Sequence, residues 1–400
     1  MSLRLLCLSL SLAALSGCSS STDSTPAKLT AQTVLNDCKK ELDIPDYPAA
    51  GKDCLLADLW LQREQPDSLV YADAQERLAD LLVRNNIAAG ISKYQAALDL
   101  REKLADTGPE LDSLRLKQAK ALSFGGKWPE TEALLKKILP ATEAAKGKES
   151  ADTAEIYNRI GVAQLQQKNA AEAEKNLSKA LEILQAQPSV DTKLLAEVNN
   201  NLGYLKQLIN KPQEAENYYQ KAVQTLQSQK DIAYPQLFEF LNNLAELQKK
   251  QGENKQADEN YNQLIGVAEK GFGNPSLQYA AAQNNLGMLA LFNHNYNYAE
   301  NLLGQARLTR EKLLGINNIQ TAETAYSQAL ALAGQGKISQ AIPLMRYSVA
   351  FTELALGQNN PQVQQRWKNL AALQNGAVKE VAQPANDKAA EKTANKKAKK

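Results

Sequence analysis

Apolar and small residues along this chain follow two nested periods. Within 153–167, Ile156, Ile160, Gly161, Ala163 and Leu165 return about every 3.6 residues, the spacing that gathers side chains on one helical face. The polar pair Lys168-Asn169 interrupts that stripe. A second stripe of Ala173, Leu177, Ala180, Leu181 and Leu184 then runs to the region of Pro188. The longer period repeats this helix–turn–helix unit every 42 residues. One column reads Thr131, Ala173, Ala215, Ala257, Ala299 and Ala341; another, seven residues on, reads Ile138, Ala180, Ala222, Leu264, Ala306 and Ser348. The block Asn284-Asn285-Leu286-Gly287 keeps the same step. It appears as Asn200-Asn201-Leu202-Gly203 and Asn242-Asn243-Leu244-Ala245, and more weakly as Asn158-Arg159-Ile160-Gly161. A fixed step of this length predicts stacked helical units, each burying its apolar face only against its neighbours. Pro129 and Pro212 fall at the start of second helices, where the first-turn N–H has no helical partner. Pro188, Pro235, Pro275 and Pro361 are placed between units.

The recurring blocks resemble the tetratricopeptide repeat, in the longer form found in kinesin light chains. The resemblance rests on Asn-Asn-Leu-Gly/Ala in the first helix and on Ala-Glu before the second stripe (Ala173-Glu174, Ala215-Glu216, Ala299-Glu300). Unit ends such as Arg310 to Gly315 and Ala355 to Pro361 carry it as well. It implies an all-α, right-handed superhelical solenoid whose first helices line a concave groove. The ordinary repeat is about 34 residues, so each helix is expected to gain about a turn. The array is expected over 71–361, with six clear repeats from about 114 and one degenerate repeat before them. In that degenerate repeat Ala89 and Ala96 stay on the lattice while Leu78-Ala79 is out of phase. Where the family often has a large aromatic late in the first helix, this chain has Gln164, Lys206, Gln248, Ala290 and Leu332, which predicts looser packing there. Residues 362–375, with Trp367, are expected to form a closing helix.

Upstream of the array, 1–17 carries one charge, Arg4, followed by an apolar run from Leu5 to Leu15. That is the form of a signal peptide, too short for a bilayer-spanning anchor. Leu15-Ser16-Gly17-Cys18 resembles the bacterial lipobox, which implies a lipid on Cys18 and attachment to a membrane. Ser19 in place of an aspartate implies sorting to the outer membrane, facing the periplasm. An ordinary cleaved signal beside an incidental cysteine is the alternative. Residues 18–28 read as a lipidated cysteine and a flexible Ser/Thr-rich tether. Once Cys7 leaves with the leader and Cys18 takes the lipid, Cys38 and Cys54 remain as a pair in an oxidising compartment, which predicts a disulfide. The bridge would staple a helical cap over 29–70. A metal site is the other use of two thiols, but no histidine lies near enough to complete a ligand set.

Composition narrows the function. A formal charge of +2 shows no basic bias toward nucleic acid. The single histidine, His294, stands in the polar turn Asn293-His294-Asn295, so histidine triads and multi-histidine metal sites have no basis. There is no glycine-rich phosphate loop, and the acidic residues fall mainly at repeat-equivalent or solvent-facing positions. No catalytic residue, cofactor, metal or small-molecule substrate is therefore expected. Residues 376–400 hold seven lysines against three acids, with almost no large apolar residues, and read as a disordered tail.

The groove remains. Asparagine is a mediocre helix residue, so its return in successive first helices requires a reason. One reason is binding: Asn158, Asn200, Asn201, Asn242, Asn243, Asn284 and Asn285 offer donors and acceptors that could clasp the backbone of an extended peptide. The other is packing, with one amide of each pair bonded across to the next repeat. Glu155, Glu197, Glu239 and Glu323, one turn earlier, predict a groove that does not favour acidic tails. The expected function is a non-enzymatic, membrane-anchored periplasmic adaptor that holds a protein or peptide partner. The competing expectation is an envelope spacer whose basic tail contacts anionic lipid or cell-wall polymer.

Overall fold

The structure is a computed structural model and describes residues 30–43, 47–187, 189, 191–377 and 381. The expected leader, Cys18, the tether and nearly all of the lysine-rich tail lie outside the described residues. Every regular element among the described residues is an α-helix, and none is long and apolar enough to cross a membrane. The chain divides into two compact units, 1–114 and 115–400.

The N-terminal unit contains α1 (Ala31–Asp43), α2 (Tyr47–Glu64), α3 (Leu69–Asn85) and α4 (Ile87–Lys103). Val34, Leu35, Cys38, Cys54, Ala57, Leu61, Ala72 and Leu78 form its core. The sulfurs of Cys38 and Cys54 stand at bonding distance, 2.03 Å, and tie α1 to α2 inside that core. Polar caps start the next two helices. Ser68 Oγ accepts from the Tyr71 N–H at 3.1 Å, and Asn86 Oδ1 accepts from the Ala89 N–H at 3.1 Å.

Helix α5 (Pro109–Phe124) spans the boundary, and from it the 42-residue lattice is followed helix by helix. The first and second helices of successive repeats are α5 with α6 (Trp128–Lys146), α7 (Ala151–Gln166) with α8 (Ala170–Ala186), and α9 (Thr192–Leu208) with α10 (Pro212–Gln227). They continue as α11 (Tyr234–Gln251) with α12 (Asn254–Phe272), α13 (Leu277–Phe292) with α14 (Tyr296–Leu314), and α15 (Ile319–Gly334) with α16 (Ile338–Leu356). A last helix, α17 (Pro361–Gln374), follows.

Two columns of the lattice explain how each repeat closes. The turn between first and second helix has a left-handed residue at the same position each time: Gly126, Lys168, Asn210, Gly252, His294 and Gly336, with φ from 58° to 80°. His294 is thus one member of a turn column. The glycine of the Asn-Asn-Leu-Gly block is required by a crossing. A Cβ on Gly203 would stand 2.7 Å from the ring of Tyr219 sixteen residues on, and one on Gly161 would stand 2.6 Å from Leu177 Cγ. The first helix therefore lies directly on the second, and Tyr219 and Tyr261 are among the most deeply buried side chains of the molecule.

Three expectations change. Pro235 and Pro361 are not linkers; they occupy the first turns of α11 and α17. Packing is not loose where the family aromatic is missing. Gln164, Lys206 and Gln248 are buried, and each reaches back to a glutamate on the second helix of the preceding repeat: Glu132 at 2.9 Å, Glu174 at 2.7 Å and Glu216 at 2.8 Å. A hydrogen-bonded clamp has replaced an aromatic plug, and burying these polar groups is tolerable because each is partnered. Finally Val381, in the stretch expected to be disordered, is fully buried among Met345, Val349, Leu370 and Leu373 at the end of the array.

Candidate peptide-binding groove

Successive first helices touch one another at α7–α9, α9–α11 and α13–α15, which places them on the inner side of the stack. The asparagine pairs lie on that contact. Asn201 Nδ2 donates to Asn158 Oδ1 at 2.9 Å, Asn243 to Asn200 at 3.0 Å, and Asn285 to Asn242 at 2.8 Å. In each rung the second asparagine of one repeat gives to the first asparagine of the repeat before. Asn158 also donates to Glu197 Oε1 at 2.9 Å. Further along, Asn284 accepts from Thr324 Oγ1 at 3.3 Å, and a rung of the same 43-residue separation returns as Asn369 Nδ2 on the Tyr326 hydroxyl at 2.6 Å.

The predicted asparagines are thus brought together in one line, and every rung joins neighbouring repeats. A primary amide has four hydrogen-bonding valences, so one rung does not exhaust it. Asn369 and Tyr326 were not singled out from the sequence. Asn369 precedes Leu370-Ala371, the remnant of the block, but it sits in the helix expected only to close the array. That remnant was the available signal.

The rungs also orient the helix. On α9, Asn200 turns to α11 and Asn201 to α7, so the side between them belongs to Glu197, Tyr204 and Leu208, at i, i+7 and i+11. Tyr204 is 39% exposed and Leu208 52%, beside the solvent-open Glu197. The same column continues to Glu239 on α11 and Glu323 on α15, both exposed, while Ala281 replaces the acid on α13. On α7, Arg159 Nε donates to Glu155 Oε1 at 3.0 Å.

Electrostatically this floor is strained toward protonation. Burial lifts the Glu197 carboxyl above its ordinary range; Asn158 and Arg159 pull it back only in part, and Glu155 and Asp191 push it further up. Glu239 is raised by burial and then by the charge of Glu197. Both side chains are nevertheless open to water. A carboxylate that is surrounded by protein yet still accessible is what the bottom of a concave surface produces.

A family model for the tetratricopeptide repeat matches residues 110–186, 152–228 and 194–270, and a second tetratricopeptide model matches 280–320. The chain is a tetratricopeptide-repeat protein. Among solved structures this repeat protein is similar to a signal-transduction ATPase with a tetratricopeptide-repeat sensor from Pyrococcus horikoshii, at 15% identity and a TM-score of 0.60. That match covers 87% of this chain but spans only 50% of the ATPase. The apo quorum sensor NprR from B. thuringiensis is similar at 16% identity and a TM-score of 0.57, covering 80% of this chain and 87% of the sensor. Nearly identical kinesin-light-chain TPR-like repeats from Podosopora anserina align at 17% identity with a TM-score of 0.44, over 50% of this chain and 94% of theirs. Among curated proteins no sequence matches. At these identities the ATPase and the quorum sensor speak for the fold alone.

Proposed function

We propose that this chain is a non-enzymatic adaptor whose first-helix groove holds an extended, basic segment of a partner protein. The observation that carries the reading is the α9–α11 floor, where exposed Tyr204 and Leu208 share a face with Glu197, and the carboxylates of Glu197 and Glu239 stay open to water although protein surrounds them. A lysine or arginine of the partner would neutralise those carboxylates, and Tyr204 offers a ring for its stem and cation. Asn158 and Asn200 are buried in the rungs, whereas the half-buried Asn201, Asn242, Asn243, Asn284 and Asn285 keep valences that can bond the partner's backbone without demanding its sequence. Scaffolding of this kind is what tetratricopeptide repeats generally supply.

The location is part of the proposal. The lipobox-like Leu15 to Cys18 supports a lipid anchor, and Ser19 supports the outer membrane and a periplasmic face for the repeats. Assembly of an envelope complex is the role that suits such a tethered groove. The test is capture of envelope proteins by the purified chain and by Tyr204→Ala and Glu197→Gln/Glu239→Gln variants. Loss of one captured partner in both, with thermal stability kept, is expected. Capture unaffected by either variant would remove the groove from the function.

A further inference from the structure

The asparagine ladder changes character after α13, and what changes is charge. Up to α13 each rung joins asparagine to asparagine; at the α13–α15 seam the rung is Thr324 on Asn284, and an arginine joins it from the second helix. Arg310 Nη1 on α14 donates to Thr324 Oγ1 and, at 3.3 Å, to the Gln320 carbonyl. The acidic column breaks at the same seam, because α13 has Ala281 where α7, α9 and α11 have glutamate. Arg310 itself stands in the column of Leu184, Leu226 and Ala268, all buried, so packing alone asks for an apolar side chain there.

Arg366 on α17 repeats the anomaly one seam further on. Its column reads Ile156, Val198, Phe240, Ala282 and Thr324 before it; it is 8% exposed, lies 4.6 Å from the centre of the Tyr326 ring and donates to Ser348 Oγ at 3.1 Å. Among the described residues neither arginine has an ion pair. The exposed Glu323 acts on both through its charge but bonds to neither, so two guanidiniums share one distant carboxylate. Burial lowers the Arg310 guanidinium from its ordinary value, and Glu323 raises it back only in part. A cation held in an apolar position without a counter-ion is costly, and an anion that reaches it recovers the cost. Arg310 can be reached: it is half-buried, both of its bonds use Nη1, and its Nε and Nη2 are neither partnered among the described residues nor sealed from solvent.

We propose that the α13–α15 seam is a second anchor of the groove, where Arg310 takes the carboxylate of an acidic side chain in the same partner segment whose basic residues lie on Glu197 and Glu239. The inference rests on the groove reading above and adds what that segment must carry. Packed helices stand about 8–10 Å apart, so Glu239 on α11 and the seam are separated by about 14 Å, which about four extended residues span. The fitting segment therefore has a cation and, about four residues away, an acid. A uniformly basic segment would bring its far end against Arg310 and is disfavoured.

Fluorescein-labelled extended peptides test the anchor, with paired lysines and, four residues away, either glutamate or glutamine. Each is made in both sequence orders, because the charges fix its placement and not its chain direction. Fluorescence polarisation with the purified full chain should show, in the order the groove accepts, the glutamate peptide binding about tenfold more tightly, as one charge-assisted hydrogen bond warrants. Arg310→Leu, which restores the residue of the column and should keep the fold by circular dichroism, should make the two affinities equal, and Arg310→Gln should do the same. Glu197→Gln/Glu239→Gln should weaken both peptides and leave their ratio intact. Equal affinities in both orders, or a glutamate preference that survives both Arg310 variants, would overturn the second anchor and leave the basic-segment reading standing. If no peptide binds the parent chain, the groove reading falls and the anchor with it.

Discussion

The two units solve the same problem, holding helix pairs in register, with different ties. In the array the ties are repeated and spread over the repeats: an amide rung on the inner side, a polar clamp to a glutamate of the preceding repeat, and a glycine or alanine at the crossing. In the N-terminal unit they are charged, singular and concentrated. Arg101, whose side chain is 5% exposed, meets Asp106 at 2.6 Å, Asp73, and Glu76 at 3.9 Å; Tyr94 donates to Asp80 at 2.6 Å; a sulfur bridge joins the first two helices. A repeat array shares its stability among nearest-neighbour interfaces, so loss of one rung is absorbed locally. A four-helix unit has no such redundancy, and one lesion is felt throughout.

The largest effect is therefore expected from Arg101→Met. Removing one partner of a buried ion cluster takes from Asp73, Glu76 and Asp106 the guanidinium they share and costs about 3–5 kcal/mol. Hydrogen exchange resolved by unit should show the loss in α3 and α4 and leave α7 to α14 protected as before. If the array loses protection to the same degree, the units are not independent and the contrast fails. Reducing the Cys38–Cys54 bridge comes next, at up to about 3 kcal/mol for a loop of this length. A thiol titration of the unfolded, unreduced chain should find neither cysteine free. Two reactive thiols would show that α1 and α2 are held by their shared apolar core without a covalent tie.

Gly203→Val ranks below these. The added methyls meet the Tyr219 ring and should cost about 1–3 kcal/mol, confined to α9 and α10. Tyr219→Leu in the same chain should recover part of the loss by making room. A full-sized loss spreading to α13 and α14 would contradict local absorption.

What the sequence disclosed follows the same division. The array was legible because its ties recur: 42-residue columns predicted the helix pairs, the crossing glycines and the line of asparagines. The partner of each asparagine was not legible. A column shows that a residue type is wanted, whereas the direction of its side chain depends on how neighbouring helices approach, and only the structure turns Asn200 toward α11 and Asn201 toward α7. Tyr204 escaped notice because its column varies, reading Val162, Tyr204, Glu246 and Met288. The N-terminal cluster was hidden for a different reason. Arg101 and Asp73 are 28 residues apart in a stretch with no period, so nothing in the sequence announces their pairing.

Acid should act in opposite senses on Asp106 and on the α9–α11 floor, and by less than any of these substitutions. Asp106 is held below its ordinary 3.8 by the Gly108 N–H and by Arg101, so its contribution is complete above that value and lost as pH falls through its lower folded value. Glu197 and Glu239 have the reverse sign. Their folded values stand above the ordinary 4.5, so the folded array binds more protons than the unfolded chain in the interval between, and stability falls as pH rises through it. Lowering the pH from about 7 toward 4.5 should thus slightly protect α9 and α11. The contribution of Asp106 should be kept until the pH drops below 3.8. Glu239→Gln should flatten the response of the array by removing one titrating group and relieving the other. A basic peptide bound in the groove should also flatten it, because a cation beside the carboxylates returns their affinity for protons toward normal. If hydrogen exchange in α9 and α11 follows pH equally in the parent chain and in Glu239→Gln, the two carboxylates are not coupled, and a partner's cation would gain nothing from their proximity.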